Sequence, residues 1–280
     1  MSAPPDLDNL VLSNEPFFLE GSGDRPACLF LHGLGGGPYE VGLLAPVLNA
    51  QGWPVRAIAY PGHDYRPDDR RMPDSKWEDW LARASEAYDQ LVKSHGEVFV
   101  IGFSTGCPVS MALALEKQKS HPVKGSVLMA PFMAIAPPRW VPIIGAAELA
   151  NRLLGDLVGE IGREELAIKD STVRAAAMQA CYFETFNLRA VNSALDLIKI
   201  VKSKLGELEQ PTLIFQGKSD SVVAPQGAQW VFDGLASQDK TIHWVENANH
   251  FLPLDCDRDF VFAEILTFLN RISAPNGSSA

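Results

Sequence analysis

Ser104 stands in Gly102-Phe103-Ser104-Thr105-Gly106, where the apolar run Val98-Phe99-Val100-Ile101 gives way to an Ala-rich helical pattern. A serine attacks an ester only if its hydroxyl projects from the bend and a base lies within reach. The flanking glycines, lacking Cβ, let strand and helix approach closely around a sharp turn. Five letters alone are a weak pattern; the strand before them and the helix after them make Ser104 a candidate nucleophile. Such a serine needs an imidazole to take its proton and a carboxylate to orient that imidazole.

The elements that must position these groups can be read from hydrophobic runs. After an N-terminal approach ending near Phe17-Phe18-Leu19, buried-strand runs lie at Ala27 to Leu31, Val55 to Ala59, Val98 to Ile101, Gly125 to Met129, Thr212 to Phe215 and Thr241 to Val245. Each is continuous rather than alternating, as a parallel sheet covered on both faces requires. Helical patterns intervene near Tyr39 to Ala50, Ser75 to Ser94, Thr105 to Lys119, Pro225 to Ala236 and Asp257 to Ile272, with Gln51-Gly52 and His95-Gly96 as stops. This alternation predicts a doubly wound α/β fold. From Phe132 to about Glu209 no convincing strand occurs, while helical stretches appear at Gly145 to Leu154, Glu164 to Ile168, Arg174 to Thr185 and Leu188 to Lys204. A structureless loop of that length is improbable in a compact domain. The expected organisation is a core of residues 1–131 and 210–280 with a helical cap, 132–209, inserted after the sixth strand.

In an open parallel sheet, reactive groups collect at the carboxyl ends of strands. Asp220 follows the Thr212 to Phe215 run through Gln216-Gly217-Lys218-Ser219, and His250 follows Thr241 to Val245 through Glu246-Asn247-Ala248-Asn249. Chain order is thus nucleophile, acid, base. Of the other histidines, His95 ends a helix, His121 precedes Pro122 in a loop, and His243 lies inside a strand. His32 supports the loop it opens, and His63 lies in a turn near the same rim. Asp196 sits in a helical pattern and is expected to face solvent. Trp77, Trp80, Leu81, Ala84 and Tyr88, at helical spacing, read as core.

The chain resembles the α/β-hydrolase family from about residue 17 to 272. The matching pieces are His32-Gly33-Leu34-Gly35-Gly36, Pro61-Gly62-His63, Gly102 to Gly106, Gly217-Lys218-Ser219-Asp220-Ser221-Val222-Val223, and Ala248-Asn249-His250. The HGLGG loop, the cap size and the late GxxDxxV segment look most like the bacterial carboxylesterase and monoacylglycerol-lipase branch. The resemblance implies Ser104, Asp220 and His250 as catalytic residues, with the backbone N–H groups of Leu34 and Thr105 as the oxyanion hole. It also implies no metal and no organic cofactor. Some relatives place the acid after the sixth strand, but here Pro131-Phe132-Met133-Ala134-Ile135 offers no carboxylate. Two positions depart from the pattern: Cys107 stands where glycine often follows the elbow, expected to narrow the space beneath Ser104, and Asp64 where the turn after the fourth strand often has glycine.

The apolar residues of 132–209 are Phe132, Met133, Ile135, Trp140, Ile143, Ile144, Leu153, Leu154, Met178, Tyr182, Phe183 and Phe186. They are expected mostly to pack the cap onto the core. Phe132 and Met133, immediately after a strand that ends at the site, are expected to line an acyl pocket, and Gly33 and Gly35 to leave room for substrate. The expected activity is serine carboxylesterase on short- to medium-chain acyl esters, monoacylglycerols among the candidates. The alternatives are a carbon–carbon bond hydrolase, for which Arg139 is the nearest cap arginine, a thioesterase, or a hydrolase-fold binding protein.

With 280 residues, 46% hydrophobic, the chain can bury one large core. A net charge of −10 argues against nucleic acid or an anionic membrane surface as partner and favours a small-molecule ester. The expected location is cytoplasmic, since Met1-Ser2-Ala3-Pro4-Pro5 has no signal-peptide pattern and no run of about 18 apolar residues occurs. Cys28, Cys107, Cys181 and Cys256 are far apart and expected to be buried without disulfides. Ser273 to Ala280 reads as a frayed tail, and nothing in the sequence specifies an oligomeric state.

Overall fold

A computed structural model describes residues 10–64, 69–136, 146–163, 165–181 and 183–274. Its centre is a seven-stranded sheet made of β1 (Phe17–Leu19), β2 (Ala27–Leu31), β3 (Val55–Ala57), β4 (Val98–Phe103), β5 (Gly125–Met129), β8 (Thr212–Gly217) and β9 (Lys240–Val245). The spatial order is β1-β3-β2-β4-β5-β8-β9, with β1 antiparallel to β3 and every other pair parallel. Strands β2, β4, β5 and β8 are buried at every residue, which explains their unbroken apolar runs. The edge strand β9 departs from that expectation: only Val245 is buried, because an edge strand has a neighbour on one side alone.

Helices α1 (Leu44–Ala50), α2 (Trp77–His95), α3 (Gly106–Lys117), α7 (Gln226–Gly234) and α8 (Arg258–Ser273) cover the sheet. In α2, Trp80, Ala84, Ala87, Tyr88 and Leu91 form the buried stripe, and Gly96 at φ +74° ends the helix by donating its N–H to Val92 O. The expected helix from Tyr39 is a 3-10 turn, Pro38–Val41, followed by α1.

Parallel pairing aligns the carboxyl ends of the strands. Leu31 pairs with Gly102, Phe103 with Met129, Met129 with Phe215, and Gly217 with Val245. The chain leaves β2 toward β3 on one side and returns to β4 on the other, so the order reverses between β2 and β4. A crevice opens at such a switch point. The loops carrying His32 to Gly36 and Ser104 both emerge there.

Between β5 and β8 the chain forms α4 (Ala146–Val158), β6 (Glu160–Gly162), α5 (Ser171–Ala180), β7 (Thr185–Asn187) and α6 (Leu188–Lys202). Three sequence expectations are corrected here. The segment is not free of strands, since β6 and β7 pair antiparallel, and Glu165 to Ile168 is not helical. It also follows the fifth strand in chain order rather than the sixth, because one strand, not two, precedes Ala27 among the described residues. The segment grips the core through α6, which packs on α2 and α3, and through Ser193 Oγ, which accepts the Trp77 N–H at 2.8 Å. Phe132, Met133 and Phe183 are buried, but Leu153 and Met178 face outward. Arg139, Trp140, Ile143, Ile144 and Tyr182 lie outside the described residues, as does the side chain of Leu154. Asp196 is exposed and paired with Arg152. Cys28, Cys107 and Cys181 are buried and free, whereas Cys256 is exposed because it falls on the turn entering α8. Helix α8 continues through Ser273, so order extends into the expected tail; residues 275–280 lie outside the described residues.

Candidate active site

Ser104 occupies the bend between β4 and α3 at φ +52°, a left-handed conformation that a residue with a Cβ rarely adopts. The bend is fixed by its own backbone: Ser104 N–H donates to Met129 O (2.9 Å), while Ser104 O accepts from Cys107 N (3.0 Å) and Phe132 N (3.2 Å). Both flanking glycines are sterically required. A Cβ at Gly106 would lie 1.9 Å from Leu31 O, and one at Gly102 2.5 Å from Ser110 Oγ. Cys107 fills the space below, its Sγ donating toward Gly102 O and Met129 O.

His250 and Asp220 arrive from the ends of β9 and β8. Asn249 Oδ1 accepts the Ser221 N–H (2.9 Å), joining the two loops, and the His250 N–H donates to Ala167 O of the insertion (3.2 Å). His250 Nε2 lies 3.0 Å from Ser104 Oγ, and Nδ1 lies 2.9 Å from Asp220 Oδ2. All three residues are buried.

The protonation pattern follows from who can donate. Asp220 Oδ1 accepts the N–H groups of Val222 and Val223, both at 2.9 Å, and Oδ2 also accepts Gln216 Nε2 (3.0 Å). Burial pushes the Asp220 carboxyl up, but the charge and hydrogen bond of His250, with the two backbone donors, outweigh it and hold the carboxyl below its ordinary value. An ionised Asp220 can only accept, so His250 carries its proton on Nδ1. That leaves the Nε2 lone pair facing the Ser104 hydroxyl.

The loop after β2 reaches the same place, for a Cβ on Gly33 would lie 3.2 Å from Ser104 Cβ. His32, buried between strand and turn, donates from Nδ1 to Gly33 O (2.8 Å) and accepts the Tyr60 N–H at Nε2 (3.0 Å). Gly33 O also accepts from Gly36 N (3.1 Å). Because the peptide group is planar, pinning the Gly33 carbonyl fixes the opposite direction of the Leu34 N–H. Thr105 is buried at the start of α3, where backbone N–H groups have no partner within the helix.

The structure thus brings Ser104, Asp220, His250, Gly33 and the Leu34 loop together. Phe132 reaches Ser104 through its backbone, and buried Met133 abuts α7, since a Cβ on Gly227 would lie 2.9 Å from Met133 Cβ. Two shallow clefts among the described residues, about 230 Å³ between α2, α3 and α6 and about 340 Å³ beside β1, are lined by none of these residues. No group of three or more metal-ligating side chains occurs among the described residues, and no helix there is long and apolar enough to cross a membrane.

Sequence reasoning missed Glu40, Arg163 and Asp255. Glu40 is buried under the glycine loop, where its carboxyl is pushed up to about 8 by burial, against the pull of the Gly33 N–H and of Arg163. Arg163 donates to Gly35 O and Leu34 O from the insertion, and buried Asp255 accepts four backbone N–H groups around the His250 loop. No local pattern separates these charges from solvated ones.

The family model described as serine aminopeptidase, S33, matches residues 23–257. The chain is 26% identical over 264 residues to a carboxylesterase of Bacillus subtilis (strain 168), covering 94% of this chain and 98% of that one. It is 28% identical over 262 residues to a thermostable monoacylglycerol lipase of Bacillus sp. (strain H-257), covering 93% and 96%. A solved structure from work on two metagenome-derived lipolytic enzymes superposes with a TM-score of 0.79 at 23% identity, covering 94% of this chain and all of that one.

Proposed function

Because the chain belongs to the serine aminopeptidase S33 family of α/β-hydrolases, we propose that Ser104 attacks acyl esters of short to medium chain, monoacylglycerols among them, through an acyl-serine intermediate. At the coarser level the relatives decide: this is a carboxylic ester hydrolase of the esterase and lipase type. The finer reading is supported by one observation, the hydrogen-bonded run from Ser104 Oγ through His250 to Asp220 at 3.0 and 2.9 Å.

In this reading His250 Nε2 takes the Ser104 proton as Oγ bonds to the ester carbonyl carbon, and Asp220 stabilises the resulting imidazolium. The oxyanion is met by the N–H groups of Leu34 and Thr105. The same proton passes to the leaving alcohol as the C–O bond breaks. Water, deprotonated by His250, then adds to the acyl carbon, and the carboxylic acid leaves as the proton returns to Ser104. Residues 132–209 act as a helical cap over this centre on a core of 1–131 and 210–280. Phe132 and Met133 with Gly33 border the acyl group, whereas the room beside Gly35, expected to be left for substrate, is taken by Arg163 and Phe186.

The test is a panel of p-nitrophenyl esters of increasing acyl length, run beside monoacylglycerols and a thioester, with Ser104→Ala as its control. The expected outcome is ester turnover and fluorophosphonate labelling by the wild type, and a loss of at least about 10⁴-fold with no labelling for the variant. Equal turnover by the two proteins would end the proposal.

A further inference from the structure

Ionisable side chains that the reaction above does not use hold the glycine loop from two sides. From the core, Glu40 Oε2 accepts the Gly33 N–H at 2.8 Å, and the carboxyl occupies the room a side chain at Gly36 would need, 1.9 Å from such a Cβ. From the insertion, Arg163 donates from Nη1 to Gly35 O (2.9 Å) and from Nη2 to Leu34 O (3.2 Å). Its guanidinium lies 4.4 Å from the centre of the Phe186 ring, and Nη1 also reaches Cys181 Sγ.

The two-stranded sheet delivers this contact. Arg163 directly follows β6, its N–H donates to Glu184 O (2.7 Å), and Phe186 lies on β7 paired with Ile161. The loop is shaped to receive it: Gly35 sits at φ +63°, and a Cβ there would lie 3.0 Å from Arg163 Nη2 and 3.3 Å from Phe186.

Four consecutive peptide groups are therefore pinned. Glu40 holds the one ending in the Gly33 N–H, His32 the one that carries the Leu34 N–H, and Arg163 the next two through the Leu34 and Gly35 carbonyls. A donor that stabilises an oxyanion is effective when its direction is set before charge develops. We propose that Arg163 and Glu40 are positioning residues for the oxyanion donor at Leu34, with Arg163 making that donor's direction depend on the insertion being seated on the core. This rests on the reading of Ser104, His250 and Leu34 given above.

The experiment compares wild type with Arg163→Met, Arg163→Lys, Glu40→Ala and Glu40→Gln, measuring kcat and KM for p-nitrophenyl butyrate, Tm, and inhibition by an alkyl boronic acid, which forms a tetrahedral adduct on serine. Arg163→Met and Glu40→Ala should lower kcat on the order of 10- to 100-fold, with KM within about 2-fold and boronate affinity falling alongside kcat. Glu40→Gln, whose amide oxygen accepts the same N–H, should keep kcat within about 3-fold, and Arg163→Lys, able to hold one carbonyl but not two, should fall between. A kcat and boronate affinity unchanged in Arg163→Met, or a lowered Tm with kcat intact, would overturn the proposal. Should Arg163→Met not fold, an unchanged kcat in Arg163→Lys does the same. If wild type and Ser104→Ala turn over equally, the reading beneath it fails and this inference with it; if Ser104→Ala is dead and the Arg163 variants are unaffected, this inference alone falls.

Discussion

At the scale of single residues, the arrangement depends on which nitrogen of His250 carries the proton, and Asp220 decides that. Both its oxygens are saturated by donors, from Val222, Val223, Gln216 and His250. An asparagine keeps one acceptor oxygen but puts an NH₂ group where a donor already points. If that amide faces Nδ1, the imidazole must move its proton to Nε2, and the lone pair opposite Ser104 is gone. Asp220→Asn is therefore expected to lower kcat on the order of 10⁴-fold in a protein that still folds, with Tm moderately lowered because a buried amide loses the charge-assisted bonds that the carboxylate accepts. Steady-state kinetics and a melting curve check it. Retained turnover would show that Asp220 does not set the tautomer.

At the scale of elements, the question is what holds the β8 and β9 loops in register with the elbow after β4. Asp255 is the central tie: Oδ1 accepts from Lys169 N (2.8 Å), Asp170 N (3.2 Å) and Cys256 N (2.9 Å), and Oδ2 from Asn249 N (2.7 Å). One buried carboxylate thus joins the start of α5, the His250 loop and the approach to α8. Removing it strands buried N–H groups, so Asp255→Ala is expected to destabilise by about 3 kcal/mol, measured by urea unfolding, with activity lost before the fold. The sheet and its helices were legible in the sequence because each central strand is a continuous apolar run and helices such as α2 keep a buried stripe. Ser104, Asp220 and His250 were legible because strand ends concentrate them. The strands β6 and β7 were not, since Glu160-Ile161-Gly162 and Thr185-Phe186-Asn187 are three residues each and gain stability only from pairing across the insertion. Glu40, Arg163 and Asp255 stayed hidden for a related reason: their partners are backbone atoms remote in sequence, and charge alone does not reveal burial.

At the scale of the whole molecule, covering the switch point of the sheet buries His32, His63 and Glu40, and their burial contributes to how stability responds to pH. His32 is lowered to about 4 by burial, which outweighs its bond to Gly33 O. His63 is lowered well below its ordinary value by burial, by His32 with its ring centre 4.9 Å away, and by Arg163, against its bond to Pro61 O. Between about pH 6.5 and 4 the unfolded chain takes up two imidazole protons that the folded protein refuses, so stability is lost as pH falls. Glu40, at about 8 and facing Arg163, Tyr39 and Tyr60, acts oppositely. The folded protein keeps a proton that the unfolded chain has lost above about pH 4.3, so its contribution falls as pH rises toward 8. Below about pH 6.5 the two histidines outweigh the one carboxyl by about one proton, a slope of about 1.4 kcal/mol per pH unit rising with pH. Above it Glu40 acts alone and the slope reverses. These groups therefore place maximal stability near about pH 6.5, and Asp220, held below its ordinary value, extends the acid loss further down. Glu40→Gln removes the alkaline limb, so its unfolding free energy should rise to a plateau, and its advantage over wild type should widen between about pH 5 and 8. Urea titrations of both proteins across that range measure this. A constant difference would mean that Glu40 is ionised in the fold and that the space beneath the glycine loop is open to water.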